Sequence, residues 1–133
     1  MTGVRPPEGV VCIPLPTPFL VPDVNVYLLK SDPPVLIDVG PNIPEAYDRL
    51  AAGLAKAGYR LTDIGAVVLT HEHIDHSGLL AQVMAESGAE AYAHPAAQRQ
   101  LAEYDSRAEN GIEVYAAMLR AFGADEAAAA ASI

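Results

Sequence analysis

Apolar positions fall in short blocks separated by turn residues, and their spacing changes along the chain. Val10-Val11-Cys12-Ile13 is a β-branched run that predicts a first strand. Pro14, Pro16, Pro18 and Pro22 follow, a density that excludes a helix or a central strand and leaves an edge segment or connecting loop. Val24, Val26 and Leu28 then alternate with Asn25, Tyr27 and Leu29, the period of a second strand. Residues 30–34 carry turn chemistry, and residues 35–40 read as a third strand. The short link suggests a hairpin, so the first three strands predict an antiparallel meander.

The period then lengthens. Pro44 opens a helix to about Ala57, with Ala46, Leu50, Leu54 and Ala57 on one face, Asp48, Arg49 and Lys56 off it, and Gly58 as its stop. Leu61 and Ile64 lead back to a strand over 66–69. A helix is expected over 77–87, with Ser77 as its N-cap and Gly88 as its end. Residues 90–93 form a short strand broken by His94-Pro95, and a helix follows to about Glu103. Residues 105–111 read as a loop, and 112–122 and 125–131 as further helices, the last alanine-rich. Residues 1–9 form a loose arm. Strands first, then alternating β and α, predict an α/β (α+β) layered fold in a single domain over 1–133.

Composition narrows the function. The chain has 133 residues, 51% hydrophobic and 19% charged, enough for a core of its own. A net charge of −9 repels polyphosphate, so no nucleic-acid partner is expected and a small-molecule substrate is. Cys12 is the only cysteine, which rules out an internal disulfide, and its apolar surroundings suit a small buried hydrophobe. No signal-peptide core precedes Val10 and no apolar run reaches bilayer length, so a cytoplasmic protein without a membrane span is expected.

The chemistry is concentrated in Thr70-His71-Glu72-His73-Ile74-Asp75-His76-Ser77-Gly78, which holds three of the four histidines between an apolar strand and a helix start. In an extended segment His71 and His73 point the same way and can chelate one ion. Asp75 continues the alternation, His76 faces elsewhere, and the two can serve a neighbouring ion. Imidazole with carboxylate suits Zn²⁺, Fe or Mn²⁺ better than Ca²⁺ or Mg²⁺. The helix N-terminus that follows favours a nearby anion. A solvated polar loop explains a single histidine poorly placed elsewhere, but not this packing of ligand types. The His-Glu-x-x-His helix of metalloproteases does not fit, because position 75 is Asp and the lead-in is β-rich.

This stretch resembles the His-x-His-x-Asp-His signature of the metallo-β-lactamase superfamily. Residues 24–29 resemble its Asn-x-Tyr-Leu strand, residues 36–41 its Asp-x-Gly turn, and residues 91–95 its strand after the motif. The resemblance implies a four-layered αβ/βα sandwich with His71 and His73 on a first metal and Asp75 and His76 on a second, two Zn²⁺ ions in the complete site. It implies that Asp38 steadies the metal loop, although a plain turn role suits that residue too. It further implies a metal-dependent hydrolase in which a metal-held hydroxide, oriented by Asp75, attacks a small ester or thioester.

The superfamily completes its site with a later histidine, a metal-bridging aspartate and a last histidine. Here only His94 follows the motif, at a strand end that suits a loop histidine, and Asp105 and Asp125 fall in a helical region. The chain therefore reads as the first half of the sandwich plus a helical insertion segment over 104–133. It would expose the sheet face that meets the second sheet, which predicts homo-oligomers or other association. Two other readings follow from the same residues: an iron-dependent oxidoreductase resembling the sulfur dioxygenases of this fold, and a catalytically inactive half-domain.

Overall fold

Five strands form one sheet in the order β1-β2-β3-β4-β5, in a computed structural model that describes residues 6–19 and 21–103. They are β1 (Val10–Leu15), β2 (Val24–Leu29), β3 (Val35–Ile37), β4 (Ala66–Val68) and β5 (Glu90–Tyr92). The first three pair antiparallel, the meander that the short link between β2 and β3 predicts. β3, β4 and β5 pair parallel, because α1 (Pro44–Ala57) and α3 (Leu80–Ser87) carry the chain back between them. A 3₁₀ turn, Leu61–Asp63, sits between α1 and β4. A four-residue helix, α2 (Ile74–Ser77), precedes α3, and α4 (Pro95–Ala102) follows β5.

One face of the sheet carries the core. Ile13 stands opposite Val26, Leu28 opposite Leu36, and Leu36 opposite Val67, all nearly or wholly buried. Ala46, Leu50 and Leu54 of α1 and Leu79 and Val83 join them. Each such Leu or Val contributes on the order of 1.5–3 kcal/mol on burial. α1 packs on β1, and α3 packs on the 3₁₀ turn and β5. Among the described residues, the other face is less covered. The register sets Cys12, Tyr27, Ile37, Val68 and Tyr92 side by side in a row across all five strands. Tyr27 and Val68 are 36% exposed and Tyr92 52%.

Three sequence expectations change. β1 runs through Pro14 to Leu15, not only to Ile13. Pro14 pairs with Asn25 on the edge strand, where a missing N–H interrupts no ladder. β3, β4 and β5 are shorter than expected, ending at Ile37, Val68 and Tyr92. The helix expected over 77–87 is two helices, broken between Ser77 and Leu80.

The chain divides into two units, residues 1–97 and 98–133. The sheet, α1, α2 and α3 lie in the first, and the described part of the second is the end of α4. The expected loop at 105–111 and helices at 112–122 and 125–131 lie outside the described residues, as do Asp105 and Asp125. Among the described residues, no helix is long and apolar enough to cross a membrane.

Candidate metal centre

The site begins where β3 ends. Asp38 N–H still donates to Val68 O at 2.9 Å, but Asp38 then turns left-handed, with φ 60. Asp tolerates that region better than most residues. Gly40 follows at φ 87, and a Cβ there would lie 2.5 Å from Leu15 Cδ1. The N–H groups of Val39 and Gly40 both donate to His76 O, at 2.9 and 3.2 Å, and Leu79 N–H donates to Gly40 O at 3.1 Å. A Cβ on Gly78 would lie 2.5 Å from Asn42 N. The turn after β3 and the histidine loop are therefore one clamped unit.

The motif leaves β4 through Leu69, whose N–H donates to Tyr92 O at 2.8 Å. The chain becomes helical at Ile74, with His73 as the preceding cap residue. The N–H groups of His76 and Ser77 both donate to His73 O at 2.9 Å. Ser77 is therefore not the N-cap of the following helix. It ends α2, and its hydroxyl lies within reach of the carbonyls of Glu72 and His73, at 2.9 and 3.1 Å.

This early helix also replaces the extended backbone expected through the motif. The alternation does not continue through Asp75, and His76 does not face elsewhere. It folds back so that its ring centroid lies 4.2 Å from that of His71. His73 packs edge-on against the other side of the cluster, 4.7 Å from His71. His71 is the central ring of the three. Asp75 Oδ2 lies 3.7 Å from His76 Nε2.

Asp38, only 4% exposed, holds the cluster from behind. Its Oδ1 accepts from Thr70 N–H at 2.8 Å. Its Oδ2 accepts from Thr70 Oγ1–H at 2.7 Å and pairs with His76 Nδ1 at 2.9 Å. Thr70 Oγ1 is also 2.9 Å from His71 Nδ1. A carboxylate has no proton to give, so His76 must donate from Nδ1, which leaves its Nε2 lone pair available. Thr70 has one hydroxyl proton, and Asp38 takes it. His71 then donates from Nδ1 to the Thr70 oxygen, and its Nε2 lone pair is available too.

Asp38, His71 and His76 present ligand atoms within 4.8 Å of one another. Both oxygens of Asp38 are already committed, however, so it is better suited to orienting the rings than to binding an ion. Thr70 was not singled out by the sequence, although it directly precedes the first histidine with a hydroxyl at a strand end. His94 is placed otherwise: its Nδ1 accepts Ala96 N–H at 3.2 Å and caps the start of α4. A cavity of about 440 Å³ between β1 and α1 contains none of the motif residues.

A profile of the metallo-β-lactamase superfamily matches residues 21–113. The chain belongs to that superfamily. Its sheet and helices correspond to the N-terminal portion of the metallo-β-lactamase fold. A metallo-β-lactamase family protein from Thermus thermophilus superposes with a TM-score of 0.72 at 27% identity, over 89% of this chain and 39% of that one. The "probable metallo-hydrolase YqjP" of Bacillus subtilis is 55% identical over 73 residues, which is 55% of this chain and 23% of the relative. A hydroxyacylglutathione hydrolase of Methylobacterium nodulans is 34% identical over 93 residues, 70% of this chain and 35% of the relative. The chain thus spans between about a quarter and two fifths of the metallo-β-lactamase relatives it matches.

Proposed function

We propose that this chain is the metal-holding N-terminal part of a cytoplasmic metal-dependent hydrolase acting on a small ester or thioester. The observation that carries the reading is the cluster of three imidazoles in which two rings keep a free Nε2, that of His76 beside the Asp75 carboxylate. Imidazole nitrogen with carboxylate oxygen is a donor set that fits Zn²⁺, with Fe and Mn²⁺ as compatible ions. His71 and His73 would hold one ion, and Asp75 and His76 a second. When bound, zinc supplies Lewis acidity and makes water a nucleophile near neutral pH.

The chain's own residues supply order. Asp38 and Thr70 fix the faces that His76 and His71 present. Asp75 places an acceptor beside His76, where it can orient an attacking water. The packing of the turn after β3 onto α2 holds these groups to one geometry, which is what a preorganised site requires. The relative named as a probable metallo-hydrolase supports hydrolysis, and the one named as a hydroxyacylglutathione hydrolase supports an acyl substrate.

The test uses the full-length protein. Metal content is measured after purification, and hydrolysis is assayed on a panel of small esters and thioesters, before and after chelation and Zn²⁺ return. The expected result is bound zinc and chelator-sensitive turnover. His73→Ala should lower activity by more than the roughly 10–100-fold typical of losing a supporting partner of a ligand. A protein that retains no metal and hydrolyses nothing with Zn²⁺ supplied would sink the reading. Oxygen uptake without hydrolysis would replace it with an oxidoreductase.

A further inference from the structure

We propose that Thr70 is a positioning residue that relays the charge of Asp38 to His71, so that one carboxylate oxygen sets the tautomers of two imidazoles. This rests on the reading of His71 and His76 as metal ligands, each in a different half of the site.

The number of protons available fixes the direction of each bond. Asp38 Oδ2 is 2.9 Å from His76 Nδ1 and 2.7 Å from Thr70 Oγ1. It accepts from both, so the Thr70 proton is spent on Asp38. The Thr70 oxygen, 2.9 Å from His71 Nδ1, must then accept. Asp38 makes no hydrogen bond of its own to His71, so the proton on His71 is placed through Thr70. Thr70 suits the task because its β-branched side chain is stiff at χ1. Its main chain is held separately, by Thr70 N–H donating to Asp38 Oδ1 at 2.8 Å. The relay can therefore be cut without releasing the backbone. His73 supplies an internal reference: among the described residues its ring nitrogens have no hydrogen-bond partner.

The relay has a consequence for metal binding. The two half-sites share Oδ2, so a change at Thr70 acts on His71 alone, and a change at Asp38 acts on both rings. A merely structural role for Thr70 would not produce that split.

The test is ¹⁵N NMR of the imidazole nitrogens in the metal-free full-length protein, at a pH where the rings are neutral. His71 and His76 should both read as Nδ1–H. Thr70→Val should move His71 toward Nε2–H and leave His76 and His73 unchanged. Thr70→Ser should restore His71, and Asp38→Asn should disturb His71 and His76 together. Thr70→Ala makes the same prediction as Thr70→Val should the valine variant not fold. With Co²⁺ or Zn²⁺ in competition with a chelator, Thr70→Val should weaken the ion held by His71 by roughly 10–100-fold, and Thr70→Ser should stay close to wild type. Retention of Nδ1–H on His71 in Thr70→Val or Thr70→Ala, or an equal shift of His76, overturns the relay. Failure of the wild-type protein to bind metal would instead defeat the proposed function, because the tautomers are read without metal.

Discussion

Gly78→Ala tests the clamp between the turn after β3 and the histidine loop. Gly78 has helical dihedrals, φ −58 and ψ −40, so local preference alone favours alanine by about 1 kcal/mol. The structure opposes this. A Cβ at position 78 would lie 2.5 Å from Asn42 N, 2.6 Å from Ile74 O and 3.0 Å from the carbonyl carbon of Pro41. All three are backbone atoms, so no side chain can swing away. Overpacking costs about 1–3 kcal/mol, and with backbone on every side the upper end applies. The net expectation is a loss of about 2 kcal/mol after the helical gain is set against the clash. For a unit of this size that is a fall in Tm of roughly 8–16 °C.

The segment that must move to admit the methyl is the one that carries Asp38, so the variant should also weaken metal binding. Gly88→Ala is the control. Gly88 has φ 70 and open space where its Cβ would be, so alanine there meets only the left-handed cost of about 1–2 kcal/mol. The two variants should lose similar stability by thermal unfolding followed by circular dichroism. Only Gly78→Ala should lose affinity in a chelator competition. A Gly78→Ala protein as stable as wild type, or one whose metal affinity tracks that of Gly88→Ala, would show that the two loops are not clamped.

Two further outcomes follow from the fold. Hydrogen bonds from the Arg60 side chain and backbone N–H, together with its charge, hold the Asp63 carboxyl below its ordinary value. The stability this pair contributes is complete above the ordinary carboxylate pKa of about 4 and is lost as pH falls through the lowered value. The acid side of the unfolding profile should therefore be shallower in Asp63→Asn than in wild type, and parallel profiles would remove the pair from the account. On the open sheet face, the 133-residue chain should self-associate with rising concentration in size-exclusion chromatography, and the double variant Val68→Lys, Tyr92→Lys should reduce this. Unchanged association would place the contact elsewhere.

Much of the architecture was legible because its signals are local. The alternation over residues 24–29 and the run 35–37 are enough to draw the meander, and Pro44, the apolar stripe of α1 and Gly58 mark one helix at both ends. The misreadings came where two local preferences compete. Pro14 usually ends a strand, but an edge position leaves its missing N–H without a partner to lose. Ser77 is a good N-cap type, but the helix had already begun at Ile74, and the serine hydroxyl turned back to the carbonyls of Glu72 and His73 instead. That early start is also why His76 meets His71, which an extended alternation does not foresee. The part played by Thr70 had little local signal beyond a hydroxyl next to the first histidine, since its partner Asp38 is 32 residues away.

What brings those two residues together is the register of a single parallel strand pair. Leu36 faces Val67 and Ile37 faces Val68, so Asp38 follows the end of β3 beside Leu69, and Thr70 comes one residue later. Leu36 and Val67 are fully buried between less buried neighbours, which pins this register: a slip of β4 by one residue would turn Val67 out of the core and Ala66 or Val68 in. The same slip would shift Thr70 by one residue against Asp38 and break the paired bonds from its N–H and hydroxyl. The crossover through α1 places both strand ends on one edge, where sites of parallel α/β sheets form. The candidate centre is thus specified less by the histidine stretch itself than by two apolar residues in adjacent strands. They set the distance over which one aspartate can order the rings that the stretch supplies.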